Sequence, residues 1–176
     1  MKADNLLLDE HGTTKVADFG LSKTLAHNAH EHSDVGTPGF KAPEIYDESP
    51  KSEGYSLPVD AFAFGATIYE LLTFQGKNWG WPYGWALDLA TDEQVEKAVR
   101  AGKPPTALGG TPLPTDCPAA LRSLYEDAVR FRPDDRPTFA TMVTRLRGML
   151  TDLRAKGPTA VGCSGSGKAD GKRKRK

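Results

Sequence analysis

The chain has 176 residues, 38% of them hydrophobic and 26% charged, proportions of an ordinary globular domain large enough to bury a core. Its 23 basic and 23 acidic residues cancel, yet six Lys/Arg and one Asp fall within 168–176, so a mildly acidic body carries a basic tail. That balance excludes a general polyanion binder and confines any nucleic-acid contact to Lys172–Lys176.

Cys117 and Cys163 lie far apart and match no metal or redox spacing, so two free thiols in a reducing, intracellular compartment are expected. The N-terminus turns polar and acidic within ten residues, unlike a secretory signal. The longest apolar stretch, Val59–Leu72, is broken by Asp60 and Glu70 and is too short to span a bilayer. The expectation is a soluble cytoplasmic protein. The run KRKRK reads either as a nuclear-import signal or as a solvated tail.

In chain order, NLLLDEHGTTKVADFG predicts two short strands around a turn at Glu10–Thr13, with Gly12 in the tight position. Residues 21–58, rich in Gly, Pro, Ser, His and Asp, predict irregular loop. VDAFAFGATIYELLTF predicts a helix apolar on nearly every face, from Val59 through Leu71 and Leu72, hence one buried inside the domain. The aromatic connection over 75–91 places Trp79, Trp81, Tyr83 and Trp85 together. It reads as a loop folded onto the body, with a docking surface as the alternative.

A helix is expected from Asp92, capped by Thr91 and stopped at Gly102. Pro118–Arg130 is expected as an amphipathic helix, with Leu121, Leu124, Tyr125 and Ala128 at helical spacing. A last helix over Thr138–Leu153 carries Phe139, Met142, Val143, Leu146 and Leu150 on one side. From residue 156 onward the chain holds Gly, Ser, Ala and charge, a composition that cannot repay the cost of ordering. A folded unit over 1–155 and a disordered basic tail over 156–176 follow. The fold class is mainly α with a short β-hairpin.

A hairpin brings Asn5, just before its first strand, and Asp18, just after its second, to the same open end. Two oxygen ligands there suit a hard cation such as Mg²⁺. Gly20, two residues beyond Asp18, offers backbone freedom where a loop departs. Taken alone, these residues read rather as an ordinary hairpin with polar ends, since Asn and Asp are common turn residues. His27, His30 and His32 bring three imidazoles together, but no fourth ligand is evident and solvated loop histidines are the expectation.

The ordered set KADN, DFG, GTPGFKAPE, DAFAFG and RPDDRPTF resembles the C-terminal lobe of a eukaryotic protein kinase, from Met1 to about Leu153. DFGLSK, GTPGF and RPTF further resemble the tyrosine-kinase-like branch, which mostly phosphorylates Ser and Thr. The resemblance implies ATP and Mg²⁺ as cofactors and a protein substrate. It implies that Lys2 is the catalytic-loop lysine on the transferred phosphate, with Asn5 and Asp18 as Mg²⁺ ligands beside Gly20. Residues 21–44 match the activation segment, with Thr37 and Gly39 in the substrate-docking loop and Ser33 as first candidate phosphosite ahead of Ser22 and Thr24. Glu44 and Arg136 match a buried ion pair. Asp60 matches the aspartate that opens the central helix and accepts hydrogen bonds from the catalytic loop.

The 176 residues contain no Gly-rich phosphate loop, no strand lysine with a helix glutamate, and no His-Arg-Asp triplet with its catalytic aspartate. In the family these precede the position of Lys2, so the chain is expected to lack the N-terminal lobe. Phe62, Phe64 and Ile68 are then expected to lie exposed, inviting a partner. Two functions follow: part of a Ser/Thr kinase catalytic domain, inactive by itself, or a non-catalytic half-kinase interaction module.

Overall fold

A computed structural model describes residues 1–20, 22, 36–47, 55–74, 82–83 and 90–156. Within them the chain is mostly helical, with one two-stranded antiparallel hairpin. β1 (Leu6–Leu8) pairs with β2 (Thr14–Val16) in the register Leu6 to Val16, Leu7 to Lys15 and Leu8 to Thr14. The turn is organised from Asp9, one residue before the expected Glu10–Thr13. The Asp9 carboxylate accepts the amides of His11 at 3.0 Å and Thr13 at 2.8 Å, while Gly12 takes φ +74°. Leu7, Leu8 and Val16 are more than half exposed.

α1 (Pro58–Thr73) is the axis of the fold. Proline at its first turn costs no hydrogen bond and presets the helical φ. One side packs Phe62 with Ala42, Tyr46, Tyr83, Val95 and Val99. The other packs Ala61, Ile68 and Tyr69 with Leu124, Ala128 and Met142. Two apolar faces on one helix thus seed two clusters.

This burial overturns the expected exposure of Phe62, Phe64 and Ile68. Phe62 is 5% and Ile68 7% exposed. Phe64 is half-buried, its ring 5.8 Å from that of Phe139. The short turn at Pro43–Tyr46 and α2 (Asp92–Arg100) cover one side, and α3 (Ala119–Ala128) with α4 (Phe139–Lys156) the other. The register of α1 reverses one further expectation: Leu71 points outward, and beside it Glu70 is buried.

α2 begins with a reciprocal capping box. Thr91 Oγ1 accepts the Gln94 amide, and the Gln94 side chain accepts the Thr91 amide. It ends before Gly102, at φ +63°. α3 approaches α1 at Gly65, where an added Cβ would stand 2.7 Å from Val129 Cγ1 and 2.8 Å from Ala128 Cβ. The apolar stripe of α4 is only partly covered. Met142 is fully buried and Leu146 packs beside it, whereas Phe139, Val143 and Leu150 remain over 40% exposed. The helices meet along a narrow seam centred on Met142.

Candidate functional site

The N-terminal segment sits on α1. Ala3 donates its amide to Glu70 Oε2 at 2.9 Å, and the Met1 carbonyl lies 3.3 Å from the Thr67 hydroxyl, which also donates along the helix to the Ala63 carbonyl at 2.8 Å. A single 3₁₀ turn, Ala3–Asn5, then delivers the chain into β1. Lys2 precedes that turn, with its Nζ 3.4 Å from Asp4 Oδ2.

The hairpin returns the chain to this turn. The Ala17 amide donates to the Asn5 carbonyl at 2.8 Å. Asn5 Nδ2 and Asp18 Oδ2 then lie 3.4 Å apart. Asp18 adopts φ +61°, a left-handed conformation that aspartate tolerates better than most residues. The unusual backbone is therefore at Asp18, whereas Gly20 has no positive φ. Phe19 is 65% exposed. It is the amide nitrogen of Asn5 that faces the Asp18 carboxylate; with the amide turned over, its oxygen and that carboxylate are two hard donors at the open end of the hairpin. They fit a Mg²⁺ ion in type, and leave other coordination positions to water or phosphate. Among the described residues no group of three His, Cys, Asp or Glu gathers, here or elsewhere.

Thr37 is half-buried, and its carbonyl accepts the Phe40 amide at 3.1 Å. Gly39, at φ +81°, lies where a Cβ would come within 3.2 Å of the Cβ and carbonyl of Pro82. Both the conformation and the space favour glycine there. Ser22 lies exposed beyond the hairpin. Thr24, Ser33, the three clustered histidines, Trp79, Trp81, Trp85, Cys163 and the basic tail lie outside the described residues.

Glu44 and Arg136 form a bidentate pair, with Nη1–Oε1 at 2.6 Å and Nη2–Oε2 at 2.8 Å. Arg136 also donates to the carbonyls of Arg130 at 2.7 Å, Phe131 at 3.0 Å and Pro58 at 3.1 Å. Its guanidinium lies 5.1 Å from the Phe62 ring centroid. Asp60 stands exposed on the first turn of α1, and its charge acts on the amino group of Met1. The backbone of residues 1–3 is held instead by Glu70 and Thr67.

Glu70 is the residue that sequence reasoning missed. It is visible only as a charge interrupting an apolar run, yet its side chain is fully buried and Oε1 has no hydrogen-bond partner among the described residues. Burial pushes its carboxyl above the usual carboxylate range, and the Ala3 amide opposes the shift. No helix among the described residues is long and apolar enough to cross a membrane.

A protein kinase domain model matches residues 1–146. A probable serine/threonine-protein kinase of Dictyostelium discoideum is 28% identical over 155 residues, covering 87% of this chain and 13% of the relative. The dual specificity protein kinase pyk3 of the same organism is 31% identical over 149 residues, 85% of this chain and 10% of the relative. The G2-specific protein kinase nim-1 of Neurospora crassa is 31% identical over 143 residues, 81% of this chain and 14% of the relative. The chain thus spans less than a fifth of the length of these curated relatives. With a match running from the seat of Lys2 through the Glu44–Arg136 pair and into α4, the chain belongs to the protein kinase domain family.

Proposed function

We propose that this chain is the C-terminal-lobe portion of a Ser/Thr protein kinase catalytic domain of the tyrosine-kinase-like branch, using Mg²⁺ and ATP to phosphorylate protein Ser or Thr. The reading rests on one observation above all. The Asn5 and Asp18 side chains converge 3.4 Å apart at the open end of the hairpin, within the matched span. Asn5 and Asp18 would hold Mg²⁺, and Gly20 would let the chain leave the nucleotide site. Lys2 would contact the transferred phosphate once drawn from Asp4. A bound Mg²⁺ supplies charge neutralisation at the phosphates. Thr37 and Gly39 would shape the surface that receives the substrate. Glu44 and Arg136 would hold that surface to the helices, and Asp60 would serve the catalytic-loop backbone.

The 176 residues include no candidate for the catalytic aspartate and no phosphate-covering loop. The polypeptide by itself is therefore proposed to transfer no phosphate. The test is a γ-phosphate transfer assay on the purified chain with Ser/Thr protein substrates, alongside Mg²⁺-dependent nucleotide binding. The expected result is no transfer, with weak binding that Asp18→Ala removes. Transfer that Asp18→Ala abolishes would overturn the proposed inactivity. Nucleotide binding indifferent to both Mg²⁺ and Asp18→Ala would overturn the metal site.

A second reading, a non-catalytic module that binds a protein partner, draws on the exposed apolar side chains of Leu7, Leu8, Val16 and Phe19. The kinase reading uses the same face for the rest of a catalytic domain.

A further inference from the structure

Away from the hairpin, a cavity of about 320 Å³ lies between segment 36–47, α1, α2 and α3. That volume suits a small organic ligand. Its walls are aromatic and proline-rich, including Phe62, Tyr69, Tyr83, Tyr125, Pro82 and Pro105. Two of the tyrosine hydroxyls are already engaged. Tyr69 donates to the Thr111 carbonyl, and Tyr83 to the Lys103 carbonyl at 2.8 Å.

Tyr125 differs. It lines the cavity and is largely buried, yet its hydroxyl bonds to none of the described residues and remains open to solvent. Burial, followed by the charge of Glu126, pushes that hydroxyl up to about 12, so it stays protonated at neutral pH. Glu126 also lines the cavity, is exposed, and forms no ion pair among the described residues. Tyr125 and Glu126 thus bring a hydroxyl-bearing and a carboxylate-bearing residue, neither paired among the described residues, to the lining of one largely apolar space. The other charged lining residue, Lys103, has an exposed side chain and its carbonyl committed to Tyr83.

We propose that this cavity binds a small amine with a ring-sized apolar body, its ring among the Tyr, Phe and Pro walls and its ammonium shared by Glu126 and the Tyr125 hydroxyl. Electron-rich ring faces add attraction for the cation. Because Gly39 and Pro43 also line the space, an occupant bridges the segment that carries Glu44 to the helical body. The inference does not depend on the nucleotide site.

The test is an NMR titration of the full 176-residue chain with 2-phenylethylamine and with its neutral analogue 2-phenylethanol. The amine is expected to give saturable shifts at Gly39, Ala66 and Gly102, with a dissociation constant on the order of 1 mM. Glu126→Gln, at an exposed position, is expected to weaken the amine roughly two- to five-fold and leave the alcohol unchanged. Tyr125→Phe keeps the ring and is expected to weaken the amine as well. Absence of saturable shifts at these residues overturns the site. Equal binding of both probes, or amine binding indifferent to Glu126→Gln, overturns the assigned chemistry.

Discussion

Arg136 holds Glu44 through two parallel bonds of 2.6 and 2.8 Å, with the Arg136 side chain fully buried and that of Glu44 only 15% exposed. Three backbone carbonyls take up further guanidinium protons. One side chain therefore ties the 36–47 segment to the start of α1 and to the turn between α3 and α4. Glu44→Ala strands this cation, and a loss of about 3–5 kcal/mol of unfolding free energy is expected from chemical denaturation. Arg136→Lys keeps the charge but loses the planar fork, so it too is expected to destabilise. A denaturation midpoint unchanged in Glu44→Ala would refute the pairing.

Two glycine-to-alanine changes are expected to act with opposite signs. At Gly65 the new methyl meets Val129 and Ala128 at under 3 Å, and overpacking of this kind costs about 1–3 kcal/mol. At Gly148, within α4, nothing lies within 4 Å, and alanine is expected to stabilise by roughly 0.5–1 kcal/mol through helix propensity. Urea midpoints of the two variants check both signs in one experiment.

The buried Glu70 gives stability a dependence on pH. Its folded pKa lies above the unfolded value of about 4.5, so the folded state binds more protons in the interval between them. Stability is then fully present below about 4.5 and falls as pH rises through the raised folded value. Asp127 acts in the opposite direction. Hydrogen bonding to Arg145, and then to Arg130, holds its carboxyl below the ordinary range, so its contribution is lost as acid protonates it. Glu70→Gln is expected to flatten the decline toward neutral pH while leaving the acid limb in place. A melting-temperature profile with the same neutral slope in both proteins would contradict the role of Glu70.

The capping box of α2 is a local device, and its removal should have a local effect. Thr91→Ala leaves the Gln94 amide without its acceptor. The expected cost is about 1 kcal/mol. Hydrogen exchange should quicken at the Gln94 amide and leave the α1 amides near Ile68 protected.

Much of this molecule was legible because its signals are local. Gly12, with Leu6–Leu8 before it and Thr14–Val16 after it, marks a hairpin within eleven residues of chain. Thr91 and Gly102 mark the two ends of α2. The all-apolar character of α1 announced burial on more than one side. The candidate site was legible for the same reason, since the hairpin alone brings Asn5 to Asp18.

What tertiary structure decided is which charges and apolar groups lose contact with water. Sequence periodicity placed Leu71 and Glu70 side by side on α1, but only the packing of neighbours determined that Glu70 is buried and Leu71 exposed. Likewise the apolar stripe of α4 was readable, whereas its coverage at Met142 alone depends on the narrow seam with α3. Phe62 is sealed by a guanidinium that arrives from 74 residues further along the chain. The physical reason is common to these cases: periodicity fixes the direction of a side chain from its own helix, whereas burial depends on which distant surface arrives there.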